Sequence, residues 1–197
     1  MFDTERFIEE CRNALNDTNA HSAVREVVER TVSDPNNVIE GLGEPKRAGV
    51  KTLYRSDDLT IINFTWGPRM SLLPHDHRMW AVIGLYGGKE DNTFYQRSPK
   101  GLLRSGGKEL SVKEACPLGA AVIHSVINPL DKITAAIHVY GGDYFGVPRS
   151  QWDAETLEEQ PFDIDYIMGI FEESNRALED KGASSSLKVV QHARSDR

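Results

Sequence analysis

The sequence predicts a mainly β protein, a sandwich or small barrel with helices before and after it. From about residue 50 the chain breaks into short β-rich runs divided by Gly, Pro, Asp and Ser, at least seven in roughly a hundred residues. On either side, residues 3–33 and 163–180 carry apolar side chains at helical spacing. At 197 residues and 39% hydrophobic content, the chain suffices for one well-buried core and is too short for two large ones.

The first helix begins at Asp3, whose side chain can cap it while Phe2 staples onto Phe7. Phe7, Ile8, Cys11 and Leu15 recur at helix period, which places Cys11 in the core. "NDTN" at 16–19 separates this helix from a second, marked by Val24, Val27, Val28 and Thr31 and ended by "SDPNN". The strand runs are "KTLYR" (51–55), "LTIINFTW" (59–66), "MWAVIGLYGG" (79–88), "NTFYQRS" (92–98), "KELSVKEA" (108–115), "GAAVIHSVI" (119–127) and "KITAAIHVYGG" (132–142). Ile167, Ile170, Phe171, Ser174 and Leu178 then share one face of a C-terminal helix. The expected layout is one domain over 1–180: a helical segment (1–45) packed on the β region, a β-barrel (50–147) and a C-terminal helical segment (148–180). Residues 181–197 have little to bury and are expected to form a flexible tail.

A net charge of -7 and a pI near 5.4 argue against nucleic acid or an anionic membrane as partner, since neither offers cations to the excess carboxylates. A small-molecule substrate is expected, on a monomer or homodimer. The N-terminus is charged throughout and no apolar span approaches 18 residues, which points to a cytoplasmic protein. Cys11 and Cys116 are far apart and set no disulfide framework or zinc-knuckle spacing.

Chemistry concentrates in the histidines. His75 and His77 point the same way in an extended segment, so two imidazoles can reach one cation, and they stand at the opening of a strand run. His124 in "VIHSVIN" and His138 in "AIHVY" offer further ligands from other strands, among apolar neighbours where an unpaired imidazole is costly. Three neutral imidazoles suit zinc, ferrous iron, nickel, cobalt or manganese, and ligand chemistry alone does not choose among them. Trp66, Met79 and Trp80 read as core residues, and Glu90, Tyr95 and Arg97 as solvated hairpin residues, with the lining of a different pocket as their alternative.

"GPRMSLLPHDHRMWAVIGLYGG" and "HSVIN" resemble the two motifs of the cupins, and within them those of the thiol dioxygenases. The resemblance implies a jelly-roll (double-stranded β-helix) barrel with His75, His77 and His124 on Fe(II). The usual cupin glutamate would fall near Ala81 or Val82 and is absent, as in cysteine dioxygenase and bacterial 3-mercaptopropionate dioxygenase. "HDH" followed after two residues by Trp80 is most like the bacterial branch. Those enzymes carry a Ser-x-His-x-Tyr strand beside the iron; here Ala136, His138 and Tyr140 stand at those places, so the serine is missing. The cysteine that crosslinks to tyrosine in the animal enzyme would sit near Val82, so no such crosslink can form. A substrate-carboxylate arginine is implied at Arg149, as in the bacterial branch, or at Arg55, as in the animal type. The implied activity is oxidation of a small, carboxylated thiol with O2 to a sulfinate. A lyase or isomerase using the same metal, a carbon oxygenase, and a ligand-binding cupin without turnover stay open as alternatives.

Overall fold

The computed structural model describes residues 1–99 and 101–195, with side chains described to residue 180. Helix α1 (Thr4–Ala14) starts as its sequence predicts, with Asp3 accepting the Arg6 N–H at 3.1 Å and the Phe2 and Phe7 rings 5.5 Å apart. Helix α2 (Ala20–Val32) is capped by Asn19, which accepts the Ser22 N–H. A third helix, α3 (Pro35–Leu42), follows where the sequence predicts only an end. "SDPNN" is also a start signal: Asp34 accepts the Asn37 N–H, and Pro35 opens the helix where its missing N–H leaves nothing unpaired.

The strands are β1 (Gly49–Arg55), β2 (Thr60–Trp66), β3 (Ser71–Asp76), β4 (Ala81–Gly87), β5 (Lys89–Ser98), β6 (Gly101–Ser111), β7 (Ala115–Leu118), β8 (Ile123–Ile127), β9 (Thr134–Tyr140), β10 (Ser150–Trp152) and β11 (Glu159–Pro161). They form two antiparallel sheets, ordered β1-β2-β9-β4-β7 and β11-β10-β3-β8-β5-β6. From β2 to β9 the chain alternates between the sheets except at the β5–β6 hairpin, which is the strand order of a jelly roll. The expected barrel is not closed. The sheets face each other as a sandwich, with β1 prolonging one edge and β10–β11 prolonging another, so side chains rather than ladder hydrogen bonds join the layers. Helix α4 (Ile164–Ser195) runs on past residue 180 into the stretch expected to be a tail, whose side chains lie outside the described residues. No helix among the described residues is long and apolar enough to cross a membrane.

Strand alternation divides the burial into two layers. Ile62, Phe64, Trp66, Ile83, Leu85 and Val126 fill the space between the sheets, closed at one end by Ile167 and Phe171 of α4. Asn175 of α4 fixes that helix by bonding both the N–H and the carbonyl of Ala48, at 2.8 and 2.9 Å. The opposite faces of β2, β4 and β9, with Ile61, Val82, Tyr86, Ile137 and Val139, pack under Phe7, Cys11, Val24, Val28 and Val32 of the N-terminal helices. Covered on both sides, β9 is buried at every residue.

Helix α2 packs closely on the sheet at Gly84, where a Cβ would stand 2.3 Å from Val28 Cγ1 and 2.9 Å from Val32 Cγ1. Gly84→Ala is therefore expected to destabilise the fold by about 1–3 kcal/mol through overpacking. Urea denaturation monitored by tryptophan fluorescence measures it, and an unchanged midpoint would contradict so close a helix–sheet contact.

Candidate metal centre

His75 sits near the end of β3 and pairs across the ladder with His124 of β8. The histidine pair thus closes β3 rather than opening β4 as the sequence predicts. The "SLLPHD" run contains Pro74 and little alternation, so its strand character is hard to see. His77 follows beyond the strand, where Arg78 takes a left-handed conformation (φ 58°) and turns the chain toward β4. All three histidines are buried. His77 Nε2 lies 3.2 Å from His75 Nε2 and 3.2 Å from His124 Nε2.

The hydrogen bonds on the far side of two rings decide which atoms face inward. His75 Nδ1–H donates to the Leu73 carbonyl at 2.9 Å. His124 Nδ1–H donates to Asn92 Oδ1 at 2.7 Å, and Asn92 is held in that orientation because its amide nitrogen donates to Glu90 Oε1 at 3.0 Å. Neutral His75 and His124 consequently turn lone pairs inward at Nε2. His77 has a single ring proton, which cannot fully satisfy two such neighbours, so a deficit of at least one donor remains. A cation between the nitrogens removes it. Nitrogens about 2.1 Å from one ion, at angles between right and tetrahedral, lie roughly 3.0–3.4 Å apart, and the observed spacing falls in that interval. Burial lowers the pKa of His75 to about 4 and puts those of His77 and His124 well below the usual range, with neighbouring imidazoles adding to the effect on the latter two. The three residues form a group able to hold a metal ion.

His138 and Tyr140 lie on the inner face of β9. The Tyr140 ring is 5.0 Å from that of His77, and its hydroxyl is 3.0 Å from His138 Nδ1. Ala136, on the same face, offers no hydroxyl, and His138 Nε2 has no hydrogen-bond partner among the described residues. The Glu90 carboxyl stands 3.8 Å from that nitrogen. Glu90 is wholly buried (0% exposed), which corrects its expected place on a solvated hairpin. Strand β5 lies inside its sheet between β8 and β6, and Glu90, Asn92 and Phe94 share one side of it by alternation. Only Phe94 of that trio is apolar, so hydrophobic period does not reveal the inward face. Tyr95 is half-buried with its hydroxyl 3.2 Å from Ser125 Oγ, and Arg97 pairs with Glu159 over the Trp152 ring. Trp66 and Met79 are core residues as expected, while half-buried Trp80 stacks on His21 on the outer, helix-covered side.

The two candidate arginines part company. The Arg149 guanidinium lies between the Tyr144 and Phe162 rings, 3.9 and 3.8 Å from their centroids, and donates through Nη1 to the Tyr144 carbonyl. Its Nε is buried without a hydrogen-bond partner among the described residues. Tyr144 is 4.3 Å from Tyr140, and Phe162 is 6.0 Å from His75, which makes Arg149 part of the wall around the histidines. Arg149 and Phe162 also line an outer pocket of about 430 Å³ with Phe145, Val147, Pro148 and Ile164. Arg55 is exposed and bound bidentately to Asp143 at 2.8 Å, outside this wall. Burial raises the pKa of Tyr140 well above its ordinary value and raises that of Tyr144, so both keep their protons at neutral pH. Asn92, Tyr144 and Phe162, none of them singled out by the sequence, complete the site.

No family model matches the chain. Similar solved structures are cupin or RmlC-like proteins. One is an RmlC-like cupin family protein with a double-stranded β-helix fold from Methanocaldococcus jannaschii, 11% identical over 52% of this chain and 87% of that chain, with a TM-score of 0.44. A cupin superfamily protein from Desulfitobacterium hafniense is 16% identical over 52% and 86%, TM-score 0.42. An oxalate decarboxylase from Bacillus subtilis is 13% identical over 52% and 28%, TM-score 0.42. The jelly-roll assignment itself stands on the strand order of this chain.

Proposed function

We propose that the protein is a ferrous-iron, thiol dioxygenase-like enzyme that oxidises a small carboxylated thiol with dioxygen to a sulfinate. The observation that carries this reading is the donor set: three neutral imidazoles and, among the described residues, no carboxylate grouped with them, with a phenol and a guanidinium in the same wall. When bound, ferrous iron supplies open positions at which a thiolate and dioxygen meet. His75, His77 and His124 hold it through Nε2. Arg149 receives the substrate carboxylate, its plane fixed by Tyr144 and Phe162 and its Nε free to donate. Tyr140 keeps its proton and is oriented by His138, which places a hydroxyl beside the bound reactants. The reaction balances without a reductant: both oxygen atoms add to sulfur, the O–O bond breaks, and the four electrons lost by sulfur reduce dioxygen.

The direct test loads the protein with Fe(II) without oxygen and screens small thiols at an oxygen electrode. One carboxylated thiol is expected to consume one equivalent of dioxygen and gain two oxygen atoms by mass. If no thiol consumes oxygen in the iron-loaded protein, the reading fails, and metal-dependent lyase or isomerase chemistry, a carbon oxygenase or ligand binding without turnover becomes the better account.

The arginines supply a second prediction. Arg149→Lys should cost about 2–3 kcal/mol in kcat/KM for the carboxylated thiol, because a point charge cannot replace a paired contact, with iron content unchanged. Arg55→Lys should cost less than about 1 kcal/mol, since it breaks an exposed ion pair. Steady-state kinetics of both variants decide the matter, and the reverse order would move the anchor to Arg55.

A further inference from the structure

We infer that Glu90 is a positioning residue for His124, acting through Asn92; the inference rests on the three-histidine metal site proposed above. An asparagine amide can present either end to a neighbour, and the end it presents to His124 decides which ring nitrogen of that histidine carries the proton. Glu90 makes the choice. Its Oε1 takes the Asn92 amide N–H at 3.0 Å, which leaves the Asn92 oxygen facing His124 Nδ1 at 2.7 Å. Its Oε2 takes the indole N–H of Trp66, a group that can only donate, at 3.0 Å. Two donors thus converge on a wholly buried side chain with an acceptor at each end.

A glutamine at this place has one acceptor and one donor, so it cannot serve both Trp66 and Asn92. With its oxygen kept on Trp66, its nitrogen confronts the Asn92 nitrogen, and the conflict is relieved when Asn92 turns over. The Asn92 nitrogen then faces His124, which must accept at Nδ1 and carry its proton at Nε2. That is the atom directed at His77. Its lone pair is lost to a metal, although no metal-facing residue has changed.

The test uses the full chain and Co(II) alone as probe. Competition with a chelator should show that Glu90→Gln weakens cobalt binding about 10–100-fold, the range for partners that orient metal-bound histidines. Imidazole nitrogen NMR of the metal-free protein should show His124 as the Nδ1–H tautomer in the wild type and the Nε2–H tautomer in the variant. Adding Trp66→Phe to Glu90→Gln removes the competing donor, lets the glutamine oxygen face Asn92, and should restore most of the affinity; a merely space-filling role would make the double variant worse. Unchanged cobalt affinity and tautomer in Glu90→Gln, or no recovery in the double variant, would overturn the inference. So would an Nε2–H His124 in the wild type, a readout available even if Glu90→Gln does not fold. A wild-type protein that binds no cobalt counts against the metal reading instead, and the tautomer comparison then decides the role of Glu90.

Discussion

Two histidines opposed across one strand pair, with a third turned back onto them, set the constraint that the rest of the site has to satisfy. The register of β3 on β8 places His75 against His124, and a one-residue slip would send one of the two imidazoles to the other face. Bringing His77 within 3.2 Å of both leaves more acceptors than donors among buried rings. Such an arrangement is costly for a protein that binds nothing there and favourable for one that holds a cation. The apolar packing elsewhere keeps it in place. Strand β9 is anchored from behind by Ile137 and Val139 under the N-terminal helices, so its front face can carry His138 and Tyr140.

The polar groups around the histidines are paired with few exceptions. Glu90 accepts from Trp66 and Asn92, Asn92 accepts from His124, and Tyr140 meets His138. Three buried side-chain atoms lack a hydrogen-bond partner among the described residues, and two of them, His138 Nε2 and Arg149 Nε, belong to this site. A buried unpaired polar atom costs about 1–3 kcal/mol, so on the function proposed here their coincidence is hydrogen-bonding capacity left for a ligand. Arg149 shows this most clearly, because two aromatic rings stabilise its position while leaving Nε unused.

Much of this architecture is legible in the sequence, for identifiable reasons. His75, His77 and His124 are visible because imidazoles at alternating spacing beside apolar runs are costly to bury unless something binds their nitrogens. Strand β9 is visible from its apolar and β-branched texture. Helix α3 is hidden because Asp-Pro ends one helix and starts the next with the same residues. Glu90 and Asn92 are hidden because a strand whose inward face is polar has the pattern of an exposed one; only the ladder to β8, which pairs Phe94 with His124 and Asn92 with Val126, brings that face against the histidines, where Asn92 bonds His124. The choice between Arg149 and Arg55 depends on where a loop and a short hairpin fold, since Phe162 comes from beyond β11 to cover Arg149 while Asp143 holds Arg55 outside. No local spacing encodes either contact.

The central claim is that three Nε2 atoms hold one ion. Diffraction data collected at the iron edge from anaerobic, Fe(II)-loaded crystals test it most directly. One anomalous peak is expected about 2.1 Å from the Nε2 atoms of His75, His77 and His124, with no protein carboxylate among its ligands. A peak bound by fewer than these three histidines, or one lying elsewhere on the molecule, would contradict it.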